Sequence, residues 1–484
     1  MRRLALLGLV LNLGAFACGG DSPSTPATDA GADVTPPTPL ANLVAIDEIA
    51  AYQTVKISVV QGGAVVGKYG APIVTAKPGV FRVFYKLDPK KKFRQRTVEA
   101  ELHLIAGTEK VLKETKTIVT SSTEESFPST FNFPFDEKTL GTATQYYVVL
   151  RDPALVDSGA EVSDVRFPTE GTQPLTVSSN PGGLNVVIVP IQYAFDGSNR
   201  LPETGQSQLD AMKSYLLDMY PVEKVSITVR STPLVWSDEV KANGNGWGEL
   251  LGAIVDLRAQ DAAPRSTYYV GAFQPKGTLS DYCGFGCVLG LAANVTGPFD
   301  IAERAVISIG YPGGQYDETV AHELGHVHGR YHSPCGGAQG TDPKYPYDGG
   351  SSGVAGYRIS QASFLPSDTY DMMGYCQPEW ISDYTYKALF DRVSVVNGAS
   401  MTGVLPTARW ERLLIAEDGT IGARSSVVRE EPGGEVRDVV VTLESGAKKT
   451  LRGHWVALDH VKSGFLWVES AKIPSTGKMT RVAL

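Results

Sequence analysis

Positive charge is scarce in this 484-residue chain, with Lys+Arg 44 against Asp+Glu 52 and a net charge of −8. No basic stripe breaks that balance, so nucleic-acid binding is excluded. Beyond the first residues there is no apolar run long enough to cross a bilayer, which excludes a multi-span membrane protein. Internal repeats are absent too, so the chain is not a solenoid. Cysteine is rare: the five are Cys18, Cys283, Cys287, Cys335 and Cys376, with none between Cys18 and Cys283. What is present is a globular balance, hydrophobic 42% and charged 20%, which excludes a disordered chain. Gly 51 and Pro 30 fit loop-rich β structure better than a helical bundle. The length predicts two to four domains.

The N-terminus reads as an export signal over residues 1–17. Arg2 and Arg3 give a short positive segment, and Leu4 to Leu13 is an apolar run too short to span a bilayer. Ala15-Phe16-Ala17 then offers small residues at the positions a signal peptidase inspects. Cys18 follows at once and resembles the lipidated cysteine of bacterial lipoproteins, although such boxes usually carry Leu where Ala15 stands. The alternative is ordinary cleavage after Ala17. Lipidation of Cys18 would leave an even set of four cysteines for an oxidising compartment. Residues 18–42, rich in Pro, Thr, Ser, Asp and Ala, then form a flexible linker. The expected location is the outer membrane or cell surface, through a lipid anchor in the membrane, or the medium.

Three structured regions are expected. Residues 43–180 carry short β-branched and aromatic runs, among them Thr54–Val60, Val80–Tyr85, Val98–Leu104 and Tyr146–Leu150. They predict an N-terminal all-β domain, a sandwich of immunoglobulin-like type. From 181 to 397 strands alternate with helices: strands at Asn185–Ile191, Val225–Val229, Thr267–Phe273 and Ala305–Ile309, helices at Gln206–Met219 and Trp247–Ala259. That alternation predicts an α/β unit. Residues 398–484 return to β, with strands at Val439–Leu443 and Gly464–Glu469. His103, His454 and His460 lie in the β regions and read as structural.

Four of the seven histidines fall between His322 and His332, in His322-Glu323-Leu324-Gly325-His326-Val327-His328-Gly329-Arg330-Tyr331-His332. A helix beginning near Tyr316 puts Val320, Leu324 and Val327 on one apolar stripe. His322 and His326, four residues apart, then share a face and can chelate one cation. Glu323 can act on a water at that cation without ligating it. Gly329 tolerates the left-handed turn that ends the helix, and the turn returns His332 as a third nitrogen. Three neutral imidazoles with an open position form a catalytic zinc arrangement. A lone H-E-x-x-H could be a pair of solvated helix histidines; H-E-x-x-H-x-x-G-x-x-H is far more specific. His328 points off the ligand face.

This segment resembles the zinc signature of the metzincin clan of metallopeptidases. Asp371-Met372-Met373-Gly374-Tyr375 resembles the clan's downstream Met-turn. The resemblance implies Zn²⁺ held by His322, His326 and His332, Glu323 as general base and Met373 as the hydrophobic floor, with Met372 a competing choice. Met373-Gly374-Tyr375 matches the Met-x-Tyr form of astacin-like and serralysin-like members, which implies that Tyr375 supports the oxyanion. It covers about residues 183–395 and implies a metzincin-like catalytic domain, with Ala305–Ile309 as the edge strand that receives a peptide. Ser333 departs from the acidic residue several families carry there, so no family within the clan is assigned. With both motifs at one metal, Cys335–Cys376 and Cys283–Cys287 disulfides are expected; a Cys₄ zinc site is the rival. A cysteine switch from the N-terminal domain is excluded, since that domain has no cysteine.

The sequence thus predicts an exported zinc endopeptidase acting on protein or peptide, glycoproteins included. The alternative is an inactive metzincin-like module in a surface adhesin whose β domains carry the function. Specificity is expected in residues 336–367 and 377–384. A calcium role for Asp342 and Asp348 lacks EF-hand spacing, and both read as turn residues.

Overall fold

Period-two alternation sets the strands of the N-terminal region. Along Arg96–Ala106 the side chains of Val98, Ala100, Leu102 and Leu104 are buried, while Glu99 and His103 stand on the other face, partly exposed. The computed structural model describes residues 39–483 apart from 156–158, 285, 296, 399–405 and 474–477. The export signal, Cys18 and most of the linker lie outside the described residues.

The chain is mostly β, in several sheets. In the N-terminal region β1 (Val44–Gln61), β2 (Gly79–Leu87) and β5 (Phe131–Phe135) form one antiparallel sheet. β3 (Arg96–Ala106), β4 (Thr108–Ile118) and β6 (Gln145–Arg151) form a second. Inward residues of both, such as Ile49, Phe81, Leu102 and Val148, belong to one core.

The central region forms a mixed sheet in the order β8–β7–β9–β11–β10, from β7 (Leu184–Tyr193), β8 (Val225–Val229), β9 (Thr267–Phe273), β10 (Gly290–Ala292) and β11 (Ala305–Ile309). All neighbours are parallel except β10, which runs antiparallel to β11. Helices α1 (Gln206–Met219), α2 (Trp247–Gln260) and α3 (Gly314–Val327) belong to this unit. Ala305–Ile309 is therefore an interior strand, not the edge the sequence suggested. All five of its residues, Ser308 included, are buried, as in a strand covered on both sides. The edge on this side of the sheet is the three-residue β10, too short to stand out in the sequence.

After α3 the chain sends a hairpin, β12 (Gly356–Arg358) and β13 (Ser363–Leu365), back to the N-terminal region, where β12 pairs with β1. The indole of Trp380 donates to the Thr54 carbonyl at 2.9 Å. Helix α4 (Asp383–Asn397) follows, capped by the Ser382 hydroxyl.

The C-terminal region is a six-stranded antiparallel sheet, β15–β14–β18–β17–β16–β19. Its strands are β14 (Thr407–Ile415), β15 (Ile421–Glu430), β16 (Glu435–Leu443), β17 (Lys448–Ala457), β18 (Gly464–Glu469) and β19 (Met479–Ala483). A bridge between Thr420 and Arg481 draws its two ends together around a separate core that includes Leu413, Val441 and Leu466. The loop between β17 and β18, residues 458–463, reaches the central sheet through an Ala293–Leu458 bridge.

Candidate metal centre

Helix α3 begins two residues before the expected Tyr316 and is buried along almost its whole length. Its last turn closes at His328 and Gly329. Gly329 takes φ +83°, and its N–H donates to the His326 carbonyl at 2.8 Å. That left-handed residue reverses the chain and carries His332 back toward the helix.

The three histidines meet. His326 Nε2 lies 3.1 Å from His322 Nε2 and 3.1 Å from His332 Nε2. Each ring turns its other nitrogen to a backbone carbonyl: His322 Nδ1 to Met372 and His326 Nδ1 to Arg330, at 2.7 and 2.8 Å, and His332 Nδ1 to Gln339. A carbonyl only accepts, so each Nδ1 carries the proton and each Nε2 presents a lone pair. Burial first, and the neighbouring imidazoles next, hold His322 well below the usual histidine range. Burial likewise pushes His326 down to about 3 and lowers His332. All three are thus held in the neutral form a metal needs.

Bare lone pairs facing one another at this separation repel unless a cation lies between them. Four ligand atoms around zinc at about 2.0–2.1 Å stand about 3.3 Å apart, close to the observed spacing. The donor set therefore fits a divalent ion, with backbone carbonyls orienting the rings from behind.

The segment Asp371–Tyr375 lies under the helix. Its N–H groups are tied down: Met373 donates to Asp371 Oδ1 and Gly374 to the Asp371 carbonyl, each at 2.9 Å. A Cβ on Gly325 would stand 2.4 Å from the Met373 sulfur. Only glycine lets the turn come this close. Met372 is buried beside it, with its carbonyl serving His322. Tyr375 is exposed, and its hydroxyl lies 3.1 Å from His332 Nε2. Disulfides join Cys335 to Cys376 and Cys283 to Cys287. The former links the segment after the third histidine to the segment after Met373 and Gly374.

Glu323 is buried, and its Oε2 has no hydrogen-bond partner. Burial, reinforced by Asp459, raises its pKa well above the ordinary carboxylate value, with His460 acting against them. His460 was read as structural from the sequence, and here the structure differs. His460 Nε2 is 3.2 Å from Glu323 Oε1, and its Nδ1 is 2.7 Å from the Tyr375 hydroxyl. Asp459, beside it, brings Oδ2 to 3.2 Å from His326 Nε2. Asp459 and His460 are the members of this cluster that sequence reasoning missed. The only signal was an Asp-His pair at the tip of a β-hairpin, more than a hundred residues from the motif.

His328, by contrast, packs in the core. Its ring stacks on Tyr268 with centroids 4.6 Å apart, and its Nδ1 lies 2.6 Å from the Leu324 carbonyl. His103 stacks on Tyr147, and His454 packs on Trp410. Asp342 is held by Arg330, Tyr384 and the Lys344 amide. A cavity of about 850 Å³ opens over His322, Glu323 and His332. Gln339 and Thr341 line one wall and Gln377 and Glu379 another, within the two segments expected to set specificity.

No protein-family model and no curated protein matches the chain. Solved structures give slight likenesses. Metalloproteinase-II from Bacteroides fragilis is 11% identical with a TM-score of 0.26, over 70% of this chain and 87% of that one. A chaperone–substrate complex is 10% identical with a TM-score of 0.23, over 56% of this chain and 39% of that one. At such TM-scores neither likeness carries an argument.

Proposed function

We propose that this chain is an exported zinc-dependent endopeptidase of metzincin type. The observation that carries the reading is the convergence of the three Nε2 lone pairs beside the buried carboxylate of Glu323, at the wall of a cavity large enough for a peptide segment. His322, His326 and His332 would hold the ion, which when bound supplies Lewis acidity at neutral pH. Glu323 takes a proton from the attacking water and hands it to the leaving amine. The Tyr375 hydroxyl donates to the oxygen of the scissile carbonyl as negative charge develops there. Met373 under Gly325 keeps the helix and the third histidine in register. The mixed sheet with its antiparallel edge strand supports the metzincin-type reading, as do the two disulfides the reading of an oxidising compartment. Cys18 would tether the chain to a membrane by lipid.

A second reading is favoured by one observation, the presence of Asp459 and His460 against the histidines. On that reading the metal is structural and the chain is a binding module of a surface protein. Metal analysis beside cleavage of a peptide library, with and without a chelator, separates the two. Glu323→Gln should keep the metal and lose at least about a hundredfold in turnover. Undiminished, chelator-sensitive cleavage by that variant would reject the mechanism.

A further inference from the structure

The C-terminal sheet places a loop in the site, and the loop is fixed at both the backbone and the side-chain level. The Asn294 N–H donates to the Ala457 carbonyl at 2.8 Å, and the Asp459 N–H donates to the Ala292 carbonyl at 3.1 Å. The Ala292 N–H in turn donates to Asp459 Oδ1 at 2.6 Å. Residues 457–459 therefore occupy the end of edge strand β10, the edge an extended peptide would join. His460 adopts φ +51°, a left-handed conformation uncommon outside glycine. Such an outlier persists where its surroundings hold it, and here they hold it on Glu323 and Tyr375.

The decisive atom is Asp459 Oδ2. The side chain is fully buried, and this oxygen lies 2.8 Å from His460 Nε2, the nitrogen that also faces Glu323. It faces His326 Nε2 at 3.2 Å. That nitrogen bears a lone pair, because the ring's proton is on Nδ1 at the Arg330 carbonyl. A buried carboxylate oxygen set against an imidazole lone pair is placed as a ligand to a shared cation would be, with His460 offsetting its charge on the other side. Its distance from His326 Nε2 matches the 3.1 Å spacings among the imidazoles. Among the described residues His322, His326, His332, Asp459 and His460 form the group whose ligand atoms all lie within 4.8 Å of one another.

We propose that Asp459 is the fourth ligand of the metal, supplied by the C-terminal sheet, and that the 458–463 loop masks the site in the resting chain while His460 engages Glu323. This rests on the endopeptidase reading for its consequence, latency, but not for the ligation itself. Catalysis then requires the loop to withdraw from β10, which exposes the strand edge, frees Glu323 and opens the fourth position together.

The test uses the full chain, depleted of metal and loaded with cobalt(II), with the visible d–d spectrum as the first readout and casein cleavage as the second. Asp459→Asn keeps an oxygen for the Ala292 N–H and removes the charge. In the wild type a four-ligand site should give a spectrum that does not change with pH and does not shift with azide. In Asp459→Asn, solvent enters, so the spectrum should titrate near pH 7, as expected of metal-coordinated water in an open site, and should shift with azide. If the mask is closed nine-tenths of the time, cleavage should rise about tenfold in the variant. Identical titration, azide response and cleavage in the two proteins would overturn the proposal. If the variant fails to fold, the azide response of the wild type decides alone, because a shift there means an open vertex. Altered spectra with no cleavage by either protein would keep Asp459 as a ligand and reject the endopeptidase reading. Cleavage by the wild type that depends on Glu323, with unaltered spectra in Asp459→Asn, would do the reverse.

Discussion

Asp317 sits in the first turn of α3, buried, with its Oδ1 accepting from Gln208 Nε2 at 2.7 Å. Burial pushes its carboxyl up to about 7, helped by the charge of Glu318 and opposed by the Gln208 hydrogen bond. The folded state therefore keeps a proton that the unfolded chain releases near pH 4. Between those values the native state binds more protons, so this residue's contribution to stability falls as pH rises and is lowest above pH 7. Asp317→Asn stays neutral throughout and preserves an oxygen for Gln208. Urea midpoints at pH 4, 6 and 8 should show the variant gaining on the wild type by up to about 1.4 kcal/mol per pH unit across the window. A pH-independent difference would contradict this placement of Asp317. Residues were legible in the sequence where chemistry and local spacing coincide, as for His322, His326 and His332, which one helix and one glycine turn bring together. His460 was not legible, because no local pattern reports a contact made through the folding of another sheet. Helical phase points His328 off the ligand face, and the structure packs it on Tyr268.

At the level of elements, α3 and the Asp371–Tyr375 turn pack as one piece. Gly325 faces Met373 so closely that Gly325→Ala must displace the methionine side chain. The sulfur is the flexible part of that contact, so the chain should still fold, at a cost of about 1–3 kcal/mol in stability. Zinc affinity should also fall, because the Met372 carbonyl that orients His322 belongs to the same turn. Chemical denaturation beside competition with a zinc chelator measures both; unchanged affinity would uncouple the turn from the metal. Long amphipathic helices were the most legible elements: Gln206–Met219 has the expected bounds and the second helix runs one residue past Ala259. Short edges were not. Gly290–Ala292 is too brief to show a period, and Gly356–Arg358 is a strand through its pairing with β1 and β13. Sheet order likewise depends on which edges meet, which hydropathy along the chain does not encode.

The whole molecule joins an N-terminal pair of sheets, a mixed sheet with helices and a C-terminal sheet, and the site draws on the last two. The mostly β character of the chain and its several sheets were readable from the short alternating and β-branched runs. The return of 356–365 to the first sheet and the reach of 458–463 into the metal centre were not. On the proposed reading, export is followed by lipidation at Cys18. A labelled fatty acid should enter the wild-type chain in a bacterial host and not Cys18→Ser, which should appear in the soluble fraction. Equal labelling of both would remove the anchor. The central claim is that three imidazoles share one divalent ion. Anomalous diffraction at the zinc edge from crystals of the metal-loaded chain tests it most directly. The expected result is one peak about 2.0–2.1 Å from Nε2 of His322, His326 and His332. Crystals grown with zinc that show no peak there, or a peak held by other residues, would contradict it.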